Sequence, residues 1–182
     1  MTGGDVIGLV SAAALLLAAA GLSKIVSRHA GRSALVTARI PGAQRLSGAL
    51  TARLAGVLEL SAGTAAILIG GRLGAALIAV SFAVLAAMSI RMMAVAAGQD
   101  CTCFGRPTEV THWHTAVNLG FAVIGVAAVI RPPGTVLGEF SRHSPTAAAL
   151  VLGAGVLAYL GYLLMTALPE LLRAASQVEV LR

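Results

Sequence analysis

Five apolar segments of this chain are each close to the ~20 residues that an α-helix needs to cross the hydrocarbon core of a bilayer. Charged residues make up only 11% of the sequence and apolar residues 58%, whereas a soluble domain carries roughly 25% charged residues. The sequence therefore predicts an all-α, multi-pass bundle in the cell (inner or plasma) membrane. The segments cover residues 6–22, 50–69, 73–97, 115–130 and 146–168, where Pro169 is expected to end the last helix.

Glycine, proline and arginine separate these segments. Gly70-Gly71-Arg72 is expected to form a tight turn between the second and third helices, and Arg131-Pro132-Pro133-Gly134 to end the fourth. Small residues let membrane helices approach closely. We expect this packing role for five glycines inside the last two segments: Gly120, Gly125, Gly153, Gly155 and Gly161.

The basic residues predict an orientation. No positive charge precedes the first segment, so we expect an uncleaved first helix with its N-terminus outside. Ten of the 13 lysines and arginines lie in or beside the first loop, the third loop or the C-terminal tail, which share one side if the chain crosses five times. The positive-inside rule places that side in the cytoplasm. The net charge of +6 is then explained by lipid headgroups and orientation, and no nucleic-acid partner is expected.

The two cysteines of the chain, Cys101 and Cys103, lie one residue apart in the turn between the third and fourth segments. Thiol–disulfide exchange proceeds by thiolate attack on a disulfide sulfur, so it requires accessible cysteines close enough to pair. A Cys-x-Cys disulfide closes a very small ring, which favours easy reduction and adds little as a structural cross-link. The pair therefore predicts a redox site. No motif indicates a cofactor, although a quinone would fit between helices.

Two other interpretations remain open. Cys101, Cys103, His112 and His114 form a C-x-C-x8-H-x-H set that would suit zinc or copper(I). The two histidines flank Trp113, and interfacial anchoring of this group competes with metal binding. In the other interpretation, the protein is a non-catalytic subunit of a larger membrane complex, in which the thiols matter little.

Glu59 is expected to face the bundle interior, protonated or paired. Glu59 lies in the middle of the second segment, where an unpaired carboxylate would be costly. Lys24, at the end of the first segment, and Arg91, in the third, are the candidate partners. A basic group near the cysteines would raise the thiolate fraction. Asn118, in the fourth segment, is expected to form a hydrogen bond across the bundle and would also suit orienting the cysteine turn.

These residues resemble a known family. Gly21-Leu22-Ser23-Lys24, Pro41, Leu58-Glu59-Leu60, Cys101-Thr102-Cys103-Phe104-Gly105 and Asn118 are similar to the pattern of the methylamine utilisation protein MauE family, within the DoxX-like group of small helical membrane proteins. The resemblance covers about the first 130 residues. It implies a DoxX-like four-helix core over residues 1–131, with residues 132–182 adding a loop, a fifth transmembrane helix and a short tail.

The resemblance implies a role in thiol–disulfide handling during the maturation of exported proteins, beside a thioredoxin-like partner. It supports Cys101 and Cys103 as the redox pair, with Phe104 and Gly105 in the same motif. Lys24, Glu59 and Asn118 are family-pattern positions without an assigned role. With a single thiol pair, the protein is expected to act as an electron carrier that exchanges partners, or as one that depends on the thiols of a partner. A role on exported proteins requires outward-facing thiols, whereas the charge pattern places them inside.

Overall fold

The computed structural model describes residues 3–27, 39, 48–95, 100–101, 108–134 and 144–180. These residues form five long helices and one short β-ladder. The helices are α1 (Gly3–Val26), α2 (Gly48–Ile69), α3 (Gly71–Val95), α4 (His112–Ile130) and α5 (Ser144–Val180), and the ladder pairs β1 (Asp100–Cys101) with β2 (Thr108–Glu109). All five helices are long and apolar enough to cross a membrane. The prediction of an all-helical, multi-pass membrane protein is confirmed.

The first two helices pack antiparallel at very short distance because glycines lie at their crossing. A Cβ atom added to Gly21 of α1 would lie 2.5 Å from the carbonyl oxygen of Gly56 in α2, and one added to Gly63 would lie 2.6 Å from that of Ala14. Such contacts leave no room for a side chain. In lipid, close backbone approach of this kind supplies the packing energy between helices.

The turn between α2 and α3 is as short as the sequence predicts. Gly70 and Gly71 have φ values of 59° and 55°, in the left-handed region that glycine adopts without a steric penalty. The amide of Gly74 then donates to the carbonyl of Gly70 at 2.9 Å, in the first turn of α3. The two helices therefore reverse direction without a polar loop.

The third and fourth helices form the second close pair. A Cβ atom on Gly125 of α4 would lie 2.6 Å from the backbone nitrogen of Ala79 in α3. Phe82 of α3 and Phe121 of α4 pack with ring centroids 5.0 Å apart. The interior between the helices is built mainly from alanine and a few large side chains, among them Leu17, Ile78 and Phe82, while many leucines and valines are exposed on the outside, as expected for a surface that faces lipid.

The fifth helix lies beside α1 and runs parallel to it. A Cβ atom added to Gly8 of α1 would lie 3.6 Å from Cδ2 of Leu150 in α5. Further along both helices, a Cβ atom added to Gly161 of α5 would lie 3.2 Å from Cδ2 of Leu16 in α1. Helices that follow one another in the sequence are antiparallel, and the first and fifth helices run in the same direction, as five successive membrane crossings require.

Two details of the sequence analysis were wrong. Pro169 does not end the last helix: α5 continues to Val180, although its apolar span stops at Leu168. Proline removes one backbone hydrogen bond, and a membrane helix tolerates this loss when neighbouring groups compensate for it. Close packing was also expected at Gly120, Gly153 and Gly155, but a Cβ atom at these positions would meet no described residue within 4 Å. Gly125 and Gly161 have the expected role.

Candidate functional site

The segment that carries the cysteines is closed at its base by the β-ladder. Cys101 pairs with Thr108, and Asp100 with Glu109, in antiparallel register. The ladder begins five positions after the end of α3, and only Val110 and Thr111 separate it from α4. The two ends of this segment, one following α3 and one preceding α4, therefore lie side by side. We call residues 100–109 the cysteine hairpin. Cys103, Phe104 and Gly105, which belong to the predicted site, lie outside the described residues.

The cysteine hairpin is at the same end of the bundle as the basic first loop. The guanidinium of Arg91, in the last two turns of α3, donates to the carbonyl oxygen of Arg39 at 3.5 Å. Arg39 belongs to the connection between α1 and α2. This contact brings together the two regions that the charge pattern assigned to one side of the membrane.

The first turn of α4 holds a buried histidine in a defined orientation. The backbone amide of Thr111 donates to Nδ1 of His114 at 3.2 Å, and the Thr111 hydroxyl lies 3.1 Å from the same nitrogen. In the usual capping box, a Glu or Gln side chain at this position accepts from the amide that precedes the helix. Here the imidazole takes that role, which accounts for the start of α4 at this point.

The other ring nitrogen of His114 has no hydrogen-bond partner in the described part of the chain. His114 is only 2% exposed, and its Nε2 is one of three buried side-chain atoms without a hydrogen-bond partner among the described residues, with Glu59 Oε2 and Thr115 Oγ1. An unsatisfied buried polar group costs about 1–3 kcal/mol, and such groups in folded proteins call for an explanation.

The two histidines of the alternative metal set lie on different faces of α4. His112 is exposed and His114 is buried, as expected for residues about 200° apart around a helix. Trp113 is 46% exposed, which agrees with an interfacial position, whereas the burial of His114 does not agree with anchoring in the headgroup region. In the part of the chain that is described, no three His, Cys, Asp or Glu side chains form a cluster able to hold a metal.

An ion pair joins α1 and α2 inside the bundle. Lys24 Nζ donates to Glu59 Oε1, and both side chains are nearly buried, with 13% and 11% of their surface exposed. The pair is positioned by the crossing of Gly21 and Gly56: a Cβ atom on Gly56 would lie 3.0 Å from Cβ of Lys24. Of the two candidate partners of Glu59, the structure thus selects Lys24, since Arg91 instead contacts Arg39.

Asn118 bridges α3 and α4 as expected for an amide inside a bundle. Its Nδ2 donates to Oγ of Ser89 at 3.4 Å, and Ser89 Oγ donates to the carbonyl of Leu85 at 2.9 Å. Asn118 lies one helical turn after His114, and both are buried. The face of α4 toward α3 is therefore polar over its first two turns.

Comparison with known families places these features in context. The model of the methylamine utilisation protein MauE family matches residues 6–131, well over half of the 182 residues. The chain belongs to the MauE family. The match spans α1 to α4 and includes the Lys24–Glu59 pair, both cysteines, His114 and Asn118, whereas α5 lies beyond it. Neither a curated protein nor a solved structure gives a significant match.

Some residues of this MauE-family protein were not singled out by the sequence analysis. Ser89, the partner of Asn118, is one serine in an apolar helix, and only the antiparallel register of α3 and α4 identifies it. Gly56 and Gly63 lie on the face of α2 that packs against α1, and their spacing of seven residues, two helical turns, is a signal of that face in the sequence.

Proposed function

We propose that this MauE-family protein is a membrane-embedded thiol–disulfide carrier that exchanges electrons with a thioredoxin-like partner through Cys101 and Cys103. The observation that carries the proposal is the β-ladder at Cys101 and Thr108. It holds the only segment with cysteines between two transmembrane helices, at the end of the bundle. A partner from the aqueous phase would meet the pair there without entering the bilayer.

The exchange requires two successive displacements. A thiolate of the reduced partner attacks one sulfur of the Cys101–Cys103 disulfide, forms a mixed disulfide and releases the other cysteine as a thiolate. The second partner thiolate then attacks the partner's own sulfur in the mixed disulfide and releases the remaining cysteine. Two electrons pass from the partner dithiol to the pair, the partner becomes a disulfide, and the thiolates take up protons from water. The reverse sequence passes the electrons to a second, oxidised protein of the same class.

The proposal gives the ion pair a supporting role. Lys24 and Glu59 lie between α1 and α2, while the cysteine hairpin connects α3 and α4. We infer that the pair fixes the crossing of the first two helices and thereby the surface on which α3 and α4 rest. The maturation of exported proteins, which the family resemblance implies, would be the process that the carrier supports.

Trapping of the mixed disulfide tests the function. Purified protein with either Cys101→Ala or Cys103→Ala leaves one thiol, which is first activated as a mixed disulfide with an aromatic thiol. A thioredoxin variant that retains only its attacking cysteine is then added. We expect a covalent complex with at least one of the two variants, visible on a non-reducing gel, and none with the double variant. Failure of both single variants to form a complex would overturn the proposal.

A further inference from the structure

Three hydroxyl side chains lie on the outer surface of the bundle, within the membrane spans. Tyr159 of α5 is 60% exposed, and Ser61 and Thr64 of α2 are exposed as well. The exposed side chains in residues 73–90 of α3 and 116–130 of α4 are all apolar. The outer surface is therefore polar on the side of α2 and α5 and apolar on the side of α3 and α4.

The depth of Tyr159 is not the usual one for a tyrosine in a membrane protein. Tyrosine is enriched at the membrane interfaces, where its hydroxyl reaches water. Tyr159 is nine residues from Leu168, the nearer end of its membrane span, which is roughly 13 Å at 1.5 Å per residue. A serine or threonine hydroxyl can bond to a carbonyl of its own helix. The tyrosine hydroxyl stands at the far end of a ring, so it needs an acceptor from outside α5.

The hydroxyls of α2 and α5 lie at one depth, on the two sides of α1. Gly63 of α2 and Gly161 of α5 both contact α1 between residues 14 and 18. Each of the three hydroxyl residues is one or two positions from one of these glycines, which is at most about 3 Å along the helix axis. A donor on one side of α1 is therefore level with acceptors on the other side.

These hydroxyls share an outer face with α1. Each residue turns a right-handed helix by about 100°, and the residue after a contact position therefore lies on the flank of that contact. In α1, the exposed residues that follow contacts with α2 are Leu15, Ala19 and Leu22. Because α2 is antiparallel to α1 and α5 is parallel to it, the same rule gives the same outer side in all three helices. It places Thr64 there, after Gly63, and Gly155, after the buried Ala154. Tyr159 is one turn after Gly155.

We propose that this outer side of α1, α2 and α5, which we call the hydroxyl face, is a dimer interface at which a second copy of the chain packs about a twofold axis along the membrane normal. Such a rotation keeps the depth of every residue and exchanges the two sides of α1. The α2 helix of one copy therefore meets the α5 helix of the other, where Ser61 and Thr64 are level with Tyr159. Each tyrosine hydroxyl donates to a hydroxyl of the other copy, so the same contact occurs twice.

The cysteine hairpins stay outside this interface. The hairpin connects α3 and α4, and these helices share the core with the side of α1 that is opposite to the hydroxyl face, where Leu17 packs with Ile78 and Phe82. Each copy in the dimer thus keeps its own thiol pair open to a partner. The inference does not rest on the proposed function, because it uses only the helix faces.

Disulfide cross-linking in native membranes tests the contact, in a chain that carries Cys101→Ser and Cys103→Ser. One copy has Thr64→Cys, and a second copy with a larger tag has Tyr159→Cys, so that the second, symmetric contact of the mixed pair is intact. We expect oxidation to give a product of mixed size, because cysteines with Cα atoms within about 7 Å can be bridged. Val123→Cys, on the exposed face of α4, replaces Tyr159→Cys as the matched control and should give no product.

Two results of this experiment would overturn the inference. The first is the absence of a mixed product, or an equal yield with the control at Val123. The second is a product that joins Tyr159→Cys to a different membrane protein, which would assign the hydroxyl face to that protein.

A second measurement leaves the hydroxyls in place. An added Cβ atom at Gly155 or Gly153 meets no described residue within 4 Å, so leucine at either position should leave the fold of one copy intact. Gly155 lies on the hydroxyl face, whereas Gly153 precedes Ala154 and lies on the other flank of α5. We expect Gly155→Leu to be monomeric in mild detergent and Gly153→Leu to dimerise like the wild type, as measured by energy transfer between labelled copies.

The same assay measures the contribution of the tyrosine hydroxyl. Tyr159→Phe should raise the dissociation constant of the dimer about tenfold, because a hydrogen bond between membrane helices contributes about threefold and two are lost. A monomeric wild-type protein, or equal dissociation constants for wild type and Gly155→Leu, would overturn the inference.

Discussion

Lys24 of α1 forms an ion pair with Glu59 of α2, and the crossing glycines Gly21 and Gly56 lie within one helical turn of them. The small residues bring the two backbones together, so the lysine amine reaches a carboxylate on the neighbouring helix. The sequence places a charge in the middle of an apolar segment, and the fold satisfies it through this contact. The other oxygen of the carboxylate, Oε2, has no hydrogen-bond partner among the residues that the structure describes.

Removal of one member of this pair should destabilise the protein more than removal of both. Lys24→Met leaves a nearly buried carboxylate and should lower the free energy of unfolding by about 3–5 kcal/mol, whereas the double variant Lys24→Met with Glu59→Gln should recover most of that loss. Denaturant titration in mild detergent measures both changes. If the double variant lost as much free energy of unfolding as Lys24→Met and Glu59→Gln lose together, the two residues would not be coupled.

A methyl group added at the crossing of α1 and α2 should destabilise the protein, while a methyl group added to a glycine outside the helix contacts should not. The new Cβ atom in Gly56→Ala would lie 2.7 Å from the carbonyl oxygen of Gly21, and we expect a loss of about 1–3 kcal/mol from overpacking. Gly120→Ala is the matched control because the added Cβ atom would have no described residue within 4 Å. The control should be neutral or stabilising by up to about 1 kcal/mol. Thermal unfolding measures both changes. A lower melting temperature for Gly120→Ala than for Gly56→Ala would contradict the close packing of α1 and α2 at Gly56.

The amide of Asn118 should be coupled to the hydroxyl of Ser89. A double-mutant cycle with Asn118→Ala and Ser89→Ala should give an interaction energy of about 0.5–1.7 kcal/mol, the range found for hydrogen bonds between membrane helices. The free energies of unfolding of the four proteins in the same detergent provide the measurement. Strict additivity would mean that the two side chains do not interact.

The sequence predicts the helical architecture well because length and apolarity alone define a transmembrane helix. It does not predict which helices touch. For this reason the choice between Lys24 and Arg91 as the partner of Glu59 required the structure, as did the identification of Ser89. Pro169 shows a related effect. A local rule ends the helix there, but the loss of a single hydrogen bond is tolerated and α5 continues to Val180.

The candidate site was predicted only in part for a similar reason. Two adjacent thiols are visible in any sequence, so Cys101 and Cys103 stand out without a structure. His114 could be read as a metal ligand or as an interfacial anchor, because a sequence does not show which face of a helix is buried. Its burial and its hydrogen bond to Thr111 are properties of the folded first turn of α4.

The orientation of the cysteine hairpin can be tested in cells. The Arg91–Arg39 contact places the cysteine hairpin at the same end of the bundle as the basic first loop. The positive-inside rule therefore predicts that the hairpin faces the cytoplasm. After reduction, a membrane-impermeant maleimide should label Cys101 and Cys103 in inverted vesicles but not in intact cells. Labelling in intact cells would instead place the pair outside, where it would meet oxidoreductases of exported proteins directly.

The central claim is that Cys101 and Cys103 act as one two-electron redox pair. The most direct test starts from fully oxidised wild-type protein in nanodiscs, to which an excess of reduced thioredoxin is added, followed by an acid quench and a thiol count by maleimide mass shift. The account predicts that two thiols appear together, with no accumulation of a species carrying one, and none in the variant with Ser at both positions. If the number of thiols in the wild-type protein stayed at zero, the claim that the two cysteines form a redox pair would be contradicted.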